Sequence, residues 1–434
     1  MAARRRVSRI PMSLPIVALA LALAGCAEER SSDPVLISID SDEVTWESTE
    51  GALWGIADVL ARDRMIWVLS PVEPFVHGLQ YGAEMVAFGS QGDGPGEFRS
   101  ATALLPLGEA GEITVWDAAS RLYRTFGADG LPVATRDADQ VGTVRRDIDV
   151  VTFGDPLRVA VTAEGGTVRG EFAGAVMWGS DLWTATLVRT TADGNVERLV
   201  DFGDLNGAFN EEVRTRRVLV PVPLWDACPD GSVVVLDPMA RFLYRIDSTW
   251  EERDSLFVPW DVPPLTRADR INYLKGQMNA ELQGRRVEAG EMEAMLARAE
   301  EGSRDQFPAA APLAVDLKCS EGRVWMQEYD GVAHPLGFSQ TWRTVALAGD
   351  TQPYSEVTLP PAFQLFRVSD AHLLGVVTDD MDLQRVASIP LPESLRPFVR
   401  DGSRPVSATA PEMRVALGTA PGDAGSGRLK DSPR

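Results

Sequence analysis

ITVWDAASRLYRTF, residues 113–126, and VVVLDPMARFLYRI, residues 233–246, align without a gap. In each, an apolar, β-branched run ends in Asp (Asp117, Asp237), an Arg follows four residues later (Arg121, Arg241) and an apolar residue nine later (Phe126, Ile246). Two strands around a turn, recurring at an offset of 120 residues, are what a fold built from one repeated supersecondary unit leaves in its sequence. Other strand-like units lie around them: RMIWVLS at 64–70, LRVAVTAEG at 157–165, GRVWMQEYD at 322–330 and HLLGVVTDD at 372–380. Each is short, rich in Val, Ile, Trp or Tyr, and bounded by Gly, Asp or Pro.

The spacing predicts one unit per roughly 60 residues, which exceeds the ~40–50 of common propeller repeats because loops are inserted. Six units fit between residues 35 and 392, giving an all-β, six-bladed β-propeller. Its blades are expected at 51–98, 99–138, 146–204, 219–262, 309–360 and 361–392. The sixth lacks a fourth strand, and VLISID at 35–40, alternating at period two, is expected to supply it and close the ring. Between blades four and five the period changes: Ile271, Leu274, Met278 and Leu282, then Met292, Met295, Leu296 and Ala299, are spaced as on two helices. Thr266 and Asp269 form a capping-box pattern with the shorter acid. A helical hairpin is therefore expected at 265–303, packed on the propeller or offered to a partner.

The amino terminus has a basic head (Arg4, Arg5, Arg6, Arg9), the apolar run LPIVALALALA at 14–24, then Gly25 and Cys26. This reads as a secretory signal over 1–25, and the run is shorter than the ~20 residues a spanning helix needs. Leu23-Ala24-Gly25-Cys26 resembles the lipobox of bacterial lipoproteins. The resemblance implies cleavage before Cys26 and acylation there, which tethers the chain to the cell envelope without spanning it. Ala27 after the cysteine leans the sorting toward the outer membrane. Residues 26–34 are then a tether, 35–399 the propeller, and 400–434, rich in Ser, Pro, Ala and Gly, a disordered tail.

The formal net charge is −21; without residues 1–25, 38 basic residues face 63 acidic ones. Nucleic acid and anionic lipid surfaces are thereby excluded as electrostatic partners. With Cys26 acylated, two cysteines remain. CPDGSVVV at 228–235 and CSEGRVWM at 319–326 place Cys228 and Cys319 just before the same turn in adjacent blades. A disulfide between them is expected, stabilising the fold by constraining the unfolded chain.

GSQGDGPGEF at 89–98 poses a choice between a phosphate cradle and a corner. Pro95 removes an N–H donor, Glu97 brings negative charge, and a strand follows where a phosphate loop needs a helix. The corner is the better reading, with glycine allowing positive φ. The whole of 89–130 then resembles an NHL-type repeat, with its Gly-rich turn, Gly-x-Phe, and paired strands carrying Asp117 and Arg121. Blades five and six, with WRTVALAGD and HLLGVVTDDMDLQRVASIPL, resemble bacterial six-bladed propeller lipoproteins.

Catalytic patterns are thin. A zinc site resembling that of lyases among NHL propellers would have to draw on His77, His334 and His372. GFSQT at 337–341 has Thr341 where a nucleophile elbow has glycine. DFGDLNG at 201–207 places Asp204, Asn206 and Gly207 as in an EF-hand loop but lacks its first and twelfth ligands. Asp379, Asp380 and Asp382 form an acidic turn. The sequence thus points to a non-catalytic envelope scaffold for protein, peptide or glycan, needing no cofactor; a calcium-dependent hydrolase, resembling propeller lactonases, is the alternative.

Overall fold

The computed structural model describes residues 34–396 apart from 47–52, 54, 81–82, 139–158, 163–164, 174–183, 192, 205–208, 211–214, 217–222, 238–240, 250–252, 283–287, 305–306, 331–337, 348–353 and 380. The signal, Cys26, most of the tether and the tail lie outside the described residues.

Six antiparallel sheets stand around a common axis. Their innermost strands are Asp58–Arg62, Ala101–Leu105, Val159–Val161, Leu224–Ala227, Asp316–Ser320 and Phe363–Val368. Each touches the next, and the last touches the first, so the ring is closed. The protein is a six-bladed β-propeller.

The energetic reason for the ring is visible in its cores. One cluster fills each seam: Trp67, Phe98 and Phe126 between blades one and two; Trp116, Tyr123 and Val159 between two and three; Val168, Leu187 and Trp225 between three and four. Leu243, Leu317 and Met326 fill the next seam, Trp325, Trp342 and Phe363 the one after, and Val59, Val68 and Val376 the last. A blade strand is buried on both faces, so Ile113–Asp117 does not alternate apolar and polar and is buried throughout. Val115 serves one seam and Trp116 the other, which is the period-two geometry of a strand. At ~25 cal/mol per Å² of apolar surface, six such seams dominate the stability of the fold.

Ring closure differs from the sequence expectation. Val35–Ser38 does not complete blade six; it runs parallel to Tyr354–Thr358 as a fifth strand of blade five. The fourth strand of blade six is Thr45–Trp46, paired with Ala387 and Ser388, and Leu53 bridges Gln384 farther along. The amino-terminal segment therefore straddles two blades. Ile37 and Ile39 pack into the core shared by the two blades, so their burial by itself names neither. The Ile39 N–H bond to the Thr358 carbonyl, 3.0 Å, belongs to the seat on blade five.

Two helices interrupt the crossing from blade four to blade five: α1 (Arg267–Leu282) and α2 (Ala289–Gly302). Asp269 Oδ2 accepts from Thr266 N–H and Oγ1, both at 2.7 Å, while Asp269 N–H donates back to Thr266 Oγ1 at 3.2 Å, closing the capping box. Leu274, Met278 and Leu296 bury against Leu265, Ala311 and Val315. The Val315 N–H donates to Gln327 O at 3.0 Å, so the hairpin sits at the face where the second strand of blade five ends.

The glycine-rich stretch at 89–98 is a corner, and its donors are consumed within it. Gly94 N–H donates to Glu97 Oε2 at 2.7 Å and Gln91 N–H to Glu73 Oε1 at 2.6 Å. Arg99 and Ser100 N–H both donate to the Asp117 carboxylate at 2.9 Å. Arg124 Nη1 holds Gly94 O at 3.0 Å from beneath. Gly89 takes φ +93°, and a Cβ there would stand 2.6 Å from the Phe98 ring, so glycine is required twice over. Burial pushes the Asp117 carboxyl up, but the Ser120 hydroxyl and the N–H groups of Arg99, Ser100 and Ser120 outweigh it and hold it below its ordinary 3.8.

Candidate functional site

The inner strands of all six blades line one cavity of about 130 Å³ on the propeller axis. Its charged lining residues are Asp226, Lys318 and Arg367, contributed by the consecutive blades four, five and six. Blades one to three present Leu60, Leu104, Leu105, Pro106 and Val159–Val161. The charged side chains are thus confined to one arc of the wall.

Arg367, with Asp58 beside it, and Asp226 fasten one blade to another. Arg367 Nη2 donates to both Asp58 oxygens, 3.0 and 2.8 Å, and to Leu104 O at 3.3 Å, while its Nε reaches Val59 O at 3.3 Å. Asp58 in turn accepts the N–H groups of Val59 and Leu104 at 2.9 and 2.8 Å. One arginine and one aspartate thus tie blades six, one and two. Asp226 Oδ2 accepts Cys319 N–H at 2.8 Å, tying blade four to blade five. Lys318 Nζ stands 2.7 Å from Asp316 Oδ2 on its own strand.

Cys228 and Cys319 meet beside this axis, with sulfurs 1.99 Å apart and Cα atoms 4.9 Å apart. Cys319 itself lines the cavity. The turn glycines that follow, Gly231 and Gly322, share a left-handed φ of +84° and +70°, matching the aligned x-acid-Gly pattern.

The remaining candidates do not converge. His77 is buried in blade one with Nδ1 2.6 Å from Glu84 Oε2; His372 opens a strand of blade six, and His334 lies outside the described residues. Ser339 is inside a strand, its Oγ accepting Thr341 N–H at 2.9 Å, which is not the strand-turn-helix of a nucleophile elbow. Asp204 ends the strand Val196–Asp204, and Asn206 and Gly207 fall outside the described residues. Asp379 caps its own turn, accepting the N–H groups of Met381 and Leu383 at 2.9 and 3.0 Å, and Asp380 lies outside the described residues. Among the described residues, no three His, Cys, Asp or Glu side chains come together as a metal site, and no helix is long and apolar enough to cross a membrane.

A second group of charges lies at the blade-five face near the helices. Arg343 Nη2 binds Glu328 Oε1 at 2.6 Å, and its guanidinium lies 5.4 Å from the Trp260 ring centroid. Burial pushes the Glu328 carboxyl up; Arg343 opposes this, and Glu356 and Asp330 reinforce it. Burial, with Asp269 and Asp330 nearby, pushes the Tyr329 hydroxyl well above its ordinary value, so it stays protonated and cannot serve as a base at neutral pH.

No family model matches the chain, and no curated protein is similar to it in sequence. Solved structures are similar in shape. A Bacteroides fragilis protein named as exported is 11% identical, with 83% of this chain and 99% of that chain covered and a TM-score of 0.45. An inactive virginiamycin B lyase of Staphylococcus aureus with quinupristin is 9% identical over 80% and 99%, TM-score 0.40. The calcium-binding protein regucalcin of Agrobacterium tumefaciens is 11% identical over 82% and 95%, TM-score 0.36.

Proposed function

We propose that this propeller is a non-catalytic binding scaffold, held at the bacterial cell envelope by acyl chains on Cys26 and presenting its faces and axial cavity to an envelope protein, peptide or glycan. The observation that supports this is the commitment of the axial charges: Asp58 and Arg367 tie three blades, and Asp226 ties two more. A catalytic carboxylate or base needs a geometry free to exchange protons with substrate; these groups are spent on holding the ring. What remains is a rigid scaffold with concave surfaces, the usual form of a binding site.

Elemental analysis of the purified full chain, before and after chelation and paired with thermal melting, tests the reading. The scaffold predicts no stoichiometric metal and an unchanged melt. One calcium per chain, whose removal lowers the melting temperature and abolishes hydrolysis of a lactone or ester panel, would replace it with the calcium-dependent hydrolase.

A further inference from the structure

We infer that the face of blade five turned toward blade six holds a small monovalent anion, chloride in size and charge, among Arg323, Thr344 and Ser355. The inference stands apart from what the propeller's faces bind and from any metal.

Three observations carry it. The first is the state of Arg323. It is 7% exposed, and its Nη1 donates to Thr344 Oγ1 at 2.8 Å. Its Nε and Nη2 meet no acceptor, and no carboxylate stands against it, among the described residues. By contrast, Arg62, Arg124, Arg245, Arg343 and Arg367 are each set against an Asp or Glu. Burial acts alone on the Arg323 guanidinium and lowers its pKa, yet an arginine keeps its charge in a protein. A buried cation without a counter-ion is costly, and a bound anion removes that cost.

The second is the company Arg323 keeps. Thr344 lies opposite Trp325 on one side and Ser355 on the other. Arg323 is two residues before Trp325, so the three polar side chains share one face of the sheet. Trp325 packs with Phe363 and Leu373 of blade six, which puts that face in the seam between blades five and six. Thr344 is fully buried and Ser355 is 4% exposed. Because the Thr344 oxygen accepts from Arg323, its own O–H is left to donate, and Ser355 Oγ has no partner among the described residues. Directly opposed side chains stand ~4.5–5.5 Å apart at Cβ, within reach of one ion. Buried polar groups are as a rule paired; here the unspent donors of three residues lie in one row, and an anion takes them together in charge-assisted bonds.

The third is charge and enclosure. One guanidinium balances one negative charge, and the net charge of −21 makes a polyvalent anion costlier to hold. Residues as enclosed as these suit an ion of a single atom. Ser355 also pairs with Val35, where the amino-terminal strand joins blade five, so the anion braces the seam at which the ring is completed.

Melting of the full chain in a non-ionic detergent, with sodium gluconate exchanged stepwise for sodium chloride at constant ionic strength, tests the inference. For a Kd of about 10 mM, about 150 mM chloride should raise the melt by about 2 °C, saturably. Arg323→Gln should abolish the response and, in gluconate, melt no lower than wild type, because it removes an uncompensated buried charge. Ser355→Ala should weaken chloride by about tenfold, the loss of one charge-assisted bond. Chloride-35 NMR gives the direct reading: the line should broaden with wild-type protein and stay narrow with Arg323→Gln. If one variant does not fold, the other decides. No saturable chloride response in the wild type, an undiminished response in a folded variant, or an Arg323→Gln chain that loses equal stability in both salts would overturn the inference.

Discussion

If the axial charges hold the ring together, replacing Asp58 should cost stability in an amount set by its partners. Asp58→Asn keeps the shape and one acceptor oxygen but removes the charge that faces Arg367 at 3.0 and 2.8 Å. Breaking a fully buried pair by removing one partner costs ~3–5 kcal/mol. Here Asp58 is 11% exposed but Arg367 is 36% exposed, so water takes over part of the guanidinium and the expected cost falls to about 2 kcal/mol. With an unfolding entropy of ~2 cal/mol/K per residue over about 360 residues, that is a melting shift of only about 2–3 °C, so calorimetry is the assay. Arg367→Gln should cost less, about 1 kcal/mol, because Asp58 would keep the N–H groups of Val59 and Leu104. The double variant should then show a coupling of about 1 kcal/mol. Strictly additive costs, or an Asp58→Asn melt indistinguishable from wild type, would refute the idea that this pair fastens blades six, one and two.

Three further outcomes are expected. Replacing Cys228 and Cys319 by alanine removes a link across 91 residues, for which loop entropy sets a ceiling of about 4–5 kcal/mol; thiol titration of the unfolded, unreduced wild-type chain should find neither cysteine free. Cys26→Ser should abolish incorporation of labelled palmitate and move the protein into the aqueous phase of a detergent partition, and a wild-type chain that takes up no label would remove the anchor from the proposal. Asp117 is held below its ordinary 3.8 in the fold, so its stabilisation is present above that value and is lost as pH falls through the folded pKa. Asp117→Asn should therefore lower the melt near neutrality and flatten its decline at acid pH, below the ordinary carboxylate value.

The repeat made the fold legible because a propeller writes the same local physics several times. Asp117 and Asp237 end equivalent strands, and the arginine four residues later takes φ +59° in both copies, at Arg121 and Arg241. Such a turn constrains both residue type and spacing, and a one-dimensional alignment detects it. The helices were legible for the same reason, since Leu274, Met278 and Leu296 at helical spacing bury one face. The partner of Val35–Ser38 was not. Period-two alternation identifies a strand, but Ile37 and Ile39 enter a core shared by two blades, and only the backbone pairing distinguishes the seats.

The axial site escaped for a different reason: its members are far apart in sequence, with Asp58 and Arg367 separated by 309 positions. A faint local signal did exist. In four of the inner strands charged residues sit between apolar ones: Ala57-Asp58-Val59, Trp225-Asp226-Ala227, Val315-Asp316-Leu317-Lys318-Cys319 and Phe366-Arg367-Val368. A buried strand admits a charge only where something compensates it, and in a propeller the innermost strand is the one that faces other blades across an axis. Once the blades are assigned, a charge inside the first strand of each therefore marks the channel. From blade four to blade one the signs run minus, then minus and plus together, then plus, then minus, an alternation that implies paired staples rather than a cluster of acids. A hard cation is held by converging oxygens, whereas Lys318 and Arg367 each stand against a carboxylate here, Asp316 and Asp58, so each staple joins opposite charges.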